Sequence, residues 1–183
     1  MDDTMTLEQA VRNAIAAEIG AAGFYTLLAE SSQDREARTF FEKMASQEMD
    51  HARNIEQLGQ QLGAGELPDR ADASVKAVET AMGWEGRTDL TYRDALEVAL
   101  AAENNAELIY ETWADQLPDP PSALFTTLAR TEEQHAATLR QLLEQTDAAQ
   151  LDRAVGIPAG LSDKVFSWTE DLVGKLRSVV SGS

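Results

Sequence analysis

Residues 47–51 read QEMDH and residues 131–135 read TEEQH. They contain the only two histidines of the 183-residue chain, His51 and His135, and each follows a glutamate by three positions. With 18 glutamates in the chain, one such spacing would be ordinary. Two, in segments that match in other ways, have a common cause.

The match extends outward on both sides. At an offset of 85, residues 6–30 align with 91–115 and pair Thr6/Thr91, Ala10/Ala95, Ala14/Ala99, Ala17/Ala102, Glu18/Glu103, Tyr25/Tyr110 and Ala29/Ala114. At an offset of 84, Phe41/Phe125, Ala45/Ala129, Glu48/Glu132, His51/His135, Gln57/Gln141 and Leu58/Leu142 coincide. Alanine inflates such counts in a helical chain, but Glu, His, Tyr and Phe do not fall into register by composition. The chain is therefore read as two copies of one helical hairpin.

Ala, Leu, Glu and Gln dominate, prolines number five, and no segment alternates β-branched residues, so the fold class is all-α. Thr6 with Gln9 forms a capping box, and Thr91 with Asp94 resembles one. Gly63 and Gly65 end the second helix, and Pro118, Pro120 and Pro121 separate the third from the fourth. The expected helices run near 6–31, 34–62, 91–116 and 121–147. Residues 64–90 are too long for a tight turn. They predict a crossover, with a short helix around 73–82, that returns along an antiparallel four-helix bundle and leaves the second and third helices parallel.

Each helix has an apolar seam at steps of three and four. The first reads Leu7, Val11, Ala14, Glu18, Ala21, Tyr25, Leu28, and the second Phe41, Met44, Glu48, His51, Ile55, Leu58, Leu62. The third reads Tyr92, Leu96, Ala99, Glu103, Ala106, Tyr110, Trp113, and the fourth Phe125, Leu128, Glu132, His135, Leu139, Leu142. Glutamate interrupts every seam near its middle. A buried carboxylate without compensation is strongly destabilising, and four converging ones also repel one another. Two divalent cations would balance the four carboxylates charge for charge. Glu at i and His at i+3 lie on one helical face, so both can reach the same ion pair. The expected metal ligands are thus Glu18, Glu48, His51, Glu103, Glu132 and His135. Carboxylates with two imidazoles suit two iron ions, with manganese as the other choice.

On these residues, over about 6–147, the chain resembles the rubrerythrin-like branch of the ferritin-like superfamily. The resemblance implies a di-iron centre with Glu48 and Glu132 as bridging carboxylates. It also implies a ferritin-like bundle with one long crossover. Tyr25 matches a tyrosine near the metals in relatives, and Tyr110 is its repeat partner. Each either packs the core with a satisfied hydroxyl or supports the metal ligands from behind. Two departures stand out. The rubredoxin domain of rubrerythrins proper needs four cysteines and the chain has none, so turnover requires an external electron donor. The further ligand usual three residues after the first glutamate of the third helix is here Ala106; Glu107 lies nearby but one residue round the helix.

With 32 acidic against 15 basic residues the net charge is −17, which disfavours nucleic acid and anionic membrane surfaces as partners. The absence of cysteine excludes disulfides and iron–sulfur clusters. No run of about 18 apolar residues occurs and the N-terminus has no signal-peptide pattern, so the expectation is a soluble cytoplasmic protein. The division expected is a di-metal bundle over 1–148 and an extension over 149–183. In the latter, Val165, Phe166, Trp168, Leu172, Val173, Leu176, Val179 and Val180 form an amphipathic stripe. It reads as a fifth helix packed on the bundle or across a dimer, or as a docking peptide. The functions open are a di-iron oxidoreductase acting on Fe(II) with O2 or on H2O2, an iron-storage protein in a larger assembly, an organic-substrate hydroxylase, and a non-enzymatic metal-binding module. A homodimer or higher homo-oligomer is expected.

Overall fold

The computed structural model describes residues 6–32, 34–63 and 90–155. The predicted crossover helix at 73–82, Gly65 and the C-terminal stripe all lie outside the described residues. Four long helices carry the described chain: α1 (Leu7–Ser31), α2 (Arg35–Gln61), α3 (Tyr92–Gln116) and α4 (Pro121–Gln145), followed by one turn, α5 (Ala148–Leu151). No strand occurs among the described residues beyond a single bridge between Thr91 and Ala154.

Local chemistry sets the helix ends. Thr6 accepts a hydrogen bond from the Gln9 backbone N–H while the Gln9 side chain accepts from the Thr6 N–H, and Thr91 with Asp94 repeats the arrangement. Asp34 caps α2 by accepting from the N–H groups of Glu36 and Ala37. Gly63 ends α2 at φ +85°, a left-handed conformation that costs glycine little. α4 stops at Gln145, earlier than the expected 147, because Thr146 is extended and Asp147 caps α5 instead.

α1 pairs with α2 and α3 with α4, as two hairpins. Their relative direction follows from two hydrogen bonds. Tyr25 of α1 donates to Glu103 of α3, and Tyr110 of α3 donates to Glu18 of α1. The later residue of each helix meets the earlier residue of the other, so α1 and α3 are antiparallel. Since α2 reverses α1 through a short turn, α2 and α3 run the same way, as one-crossover topology requires.

Two apolar clusters fill the bundle, one towards each end. The first joins Phe24, Tyr25 and Leu28 of α1 to Phe41 and Met44 of α2, Leu96 of α3 and Leu139 of α4. The second joins Val11, Ala14 and Ile15 of α1 to Ile55 of α2, Tyr110 and Trp113 of α3, and Phe125 of α4. The repeat exchanges them: Phe41 in one matches Phe125 in the other, as Tyr25 matches Tyr110. Residues beyond α4 close the first end, where Leu151 and Val155 are buried and the Tyr92 N–H donates to the Arg153 carbonyl.

Most seam residues are buried and the rest partly so, except that Leu58 is 39% exposed, and its neighbour Gly59 is buried against α1 instead. A straight helix drifts relative to a strict heptad, so after Ile55 the seam takes a step of four rather than three. A Cβ at Gly59 would lie 2.6 Å from Val11 Cγ1. Gly59→Ala is therefore expected to destabilise the chain by about 1–3 kcal/mol through overpacking. In a Val11→Ala background the same change should stabilise by up to about 1 kcal/mol, because alanine is the better helix former. Urea unfolding of the four chains of this cycle checks both signs.

Candidate metal centre

Between the two apolar clusters lies a polar layer. Glu18, Glu48, Glu103 and Glu132 are all buried, as is His135, while His51 keeps 15% of its side chain exposed. Each side chain arrives because its seam position faces inward, and the two hairpins bring all six to one level. Glu48, His51, Glu132 and His135 each offer a ligand atom within 4.8 Å of the others, a grouping able to hold a metal ion.

The contacts resolve into two overlapping sets. His51 Nδ1 lies 3.3 Å from Glu18, 3.1 Å from Glu48 and 3.7 Å from Glu132. His135 Nδ1 lies 2.9 Å from Glu48, 3.6 Å from Glu103 and 3.4 Å from Glu132. Each set has one imidazole and one glutamate of its own, and the two share Glu48 and Glu132. The imidazole rings stack with centroids 5.3 Å apart. Glu48 Oε1, Glu132 Oε1 and His135 Nδ1 are buried without an aligned hydrogen bond, although Glu48 Oε1 is the atom 2.9 Å from His135 Nδ1. Lone pairs turned into one small space without aligned donors are what a cation satisfies. The donor set therefore fits two metal ions of oxygen and nitrogen preference.

The two tyrosines are both buried, and each donates to the glutamate of the opposite hairpin: Tyr25 to Glu103, Tyr110 to Glu18. Their spacing from Glu18 and Glu103 along each helix predicts nearness to the layer but gives no hint of this crossing, which needs α1 and α3 side by side. Burial, and next the neighbouring glutamates, push both phenols well above their usual pKa, so they stay donors. Ala106 and Glu107 are partly buried, and Glu107 does not belong to the Glu/His group.

Without metal, protons compensate the charge. Burial, opposed by the hydrogen bond to His51 and aided by Glu48, raises Glu18 to about 8. Burial and the charge of Glu18 raise Glu132 as well. Burial opposes charge on the imidazoles, but Glu18 and Glu48 outweigh it and bring His51 to about 9. Glu103, Glu132 and Glu48 bring His135 to about 12. Glu48 alone goes down, to about 2, because the two imidazoles and Glu18 overcome its burial. All four raised groups favour their protonated forms, so their contribution to stability is present below the unfolded-state pKa values and lost as pH rises through the folded ones. The metal-free chain is expected to be more stable at pH 6 than at pH 9 in thermal unfolding. Because ligands bind deprotonated, saturation with a divalent metal at pH 7 should release on the order of four protons per chain, read with an indicator dye in weak buffer. Release of none would mean that the metal binds elsewhere.

Comparison with known proteins adds two findings. The family model described as Rubrerythrin matches residues 9–92 and 94–156, a span that takes in both hairpins and all six residues of the layer. Among solved structures, a hypothetical protein from Pyrococcus furiosus is similar in fold, with a TM-score of 0.57 at 24% identity over 76% of this chain and 89% of that one. No curated protein is similar enough in sequence to count as a match. No helix among the described residues is long and apolar enough to cross a membrane. With its paired glutamate and Glu-x-x-His helices in register and the family model covering both, the chain belongs to the rubrerythrin family.

Proposed function

We propose that the chain is a di-iron oxidoreductase that oxidises Fe(II) with O2 or reduces H2O2. The observation that carries this reading is the pair of overlapping Glu/His sets sharing Glu48 and Glu132. Glu18 and His51 would hold one iron, Glu103 and His135 the other, and Glu48 and Glu132 would bridge them. Bound there, the irons would supply the two electrons that O2 or peroxide reduction takes.

The chain's own residues do the rest. The apolar clusters on either side keep bulk water from the layer, and the seams of four packed helices hold the carboxylates in place. Tyr25 and Tyr110 fix Glu103 and Glu18 in orientation and donate to the oxygen not needed for metal. His51, the partly exposed member, marks the side by which Fe(II) or peroxide would enter. Electrons come from a separate donor. A homo-oligomeric cytoplasmic protein, with the bundle over 1–148 and an extension over 149–183, completes the proposal; an acidic surface disfavours nucleic acid as a partner.

An anaerobic Fe(II) titration, followed by rapid mixing with O2 or H2O2 and near-ultraviolet detection of ferric carboxylate, tests this. Saturation at two irons per chain is expected; faster oxidation by peroxide identifies a peroxidase, and faster oxidation by O2 a ferroxidase. Glu48→Ala and Glu132→Ala should each lose the pair, raising the dissociation constant by at least about 100-fold. Glu30→Ala and Glu144→Ala, at exposed positions, should bind as the parent does. Equal losses at all four positions would refute the ligand assignment.

A further inference from the structure

The repeat leaves one difference next to the polar layer. Tyr110 donates to Glu18, and its ring centroid lies 5.7 Å from that of Trp113. Both rings also meet Phe125, at 6.0 and 5.4 Å. Exposure rises outward along this line, from 1% at Tyr110 to 8% at Trp113. On the other side Tyr25 donates to Glu103 in the same way, but its ring neighbours are Phe24 and Phe41, and the position matching Trp113 is Leu28. Leucine at 0% exposure fills that place in the core well enough, so packing alone does not call for an indole. Tyrosine and tryptophan are the side chains most readily oxidised by one electron; phenylalanine and leucine are not. One hairpin therefore has a continuous pair of oxidisable rings leading outward from Glu18 to an indole that is 8% exposed.

We propose that Tyr110 and Trp113 form a one-electron relay by which a small surface reductant delivers electrons to the metal pair without entering the layer. This rests on the di-iron reading. Tyr110 gives one electron to the pair that H2O2 has oxidised beyond the diferric state, and its hydroxyl proton passes along the existing hydrogen bond to Glu18. Trp113 then gives an electron to the tyrosyl radical, which takes the proton back. The external reductant, a one-electron donor, restores the indole. Each pass moves one electron inward and leaves every side chain as it began. Two passes, with two protons from solvent, reduce one H2O2 to two water molecules. Glu111 and Asp115 are exposed on the turns around Trp113, and the chain carries a net charge of −17, so the reductant that suits this surface is cationic.

The test uses the full iron-loaded chain with hexaammineruthenium(II) as the reductant. Wild type, Trp113→Phe and Trp113→Tyr, each first brought to the diferric state, are mixed with H2O2 without reductant, frozen within milliseconds and read by electron paramagnetic resonance. The rate of re-reduction by the ruthenium complex is measured separately. Trp84 and Trp168 lie outside the described residues, so the Trp113 variants assign the radical. An indole radical is expected in wild type, a tyrosyl radical in Trp113→Phe, and re-reduction of Trp113→Phe slower by roughly tenfold or more. Trp113→Tyr, which keeps an oxidisable ring, should restore most of the rate. Unchanged re-reduction in Trp113→Phe overturns the relay, as does equal slowing of both variants, which would make Trp113 a packing residue. Two irons bound with no relay leaves the di-iron reading standing; a wild-type chain that binds no pair refutes that reading and the relay with it.

Discussion

Four carboxylates are buried side by side in the middle of an apolar bundle, and the rest of the structure depends on how their charge is met. Alone, each would oppose folding, and together they would drive the two hairpins apart. Two imidazoles, two phenolic hydroxyls and shared protons meet the charge in the metal-free chain. The grouping that this creates is also one that divalent cations satisfy better, since several buried lone pairs are left without aligned donors. The large apolar clusters above and below keep the layer dry. Burial thus makes the carboxylates costly, and it is the reason a cation bound there would be held tightly.

Neither hairpin meets this constraint by itself. Tyr25 serves the glutamate of α3 and Tyr110 that of α1, while Glu48 and Glu132 each approach the histidine of the other hairpin. Such reciprocal exchange couples the halves at the layer, although most packing lies within each hairpin. The repeat is not a perfect symmetry. His51 is more exposed than His135, and Trp113 stands where the first hairpin has Leu28. Those differences leave the two Glu/His sets with unequal exposure and unequal surroundings.

Much of this was legible along the chain. The caps at Thr6 and Thr91 could be read because a hydroxyl and an acceptor three residues on act locally. The six residues of the layer could be read because each breaks an apolar seam with a charge that burial makes expensive. Leu58 could not be placed, since helix drift over several turns moves the seam onto Gly59 and only contact with Val11 reveals it. Nor could the early end of α4 be read: Gln145, Thr146 and Asp147 are all compatible with one more turn until Asp147 takes up the N–H of Gln150.

The sequence by itself determined the helical class, the two-hairpin repeat and the identity of the residues that converge, because these follow from periodicity, local capping and the energy of burying charge. Only the tertiary structure decided which tyrosine supports which glutamate, how closely each histidine approaches the other hairpin's glutamate, and which side of the layer faces solvent. Those are relations between residues tens of positions apart, such as Tyr25 with Glu103 and His51 with Glu132. They depend on the direction and rotation of each packed helix, which no local pattern encodes.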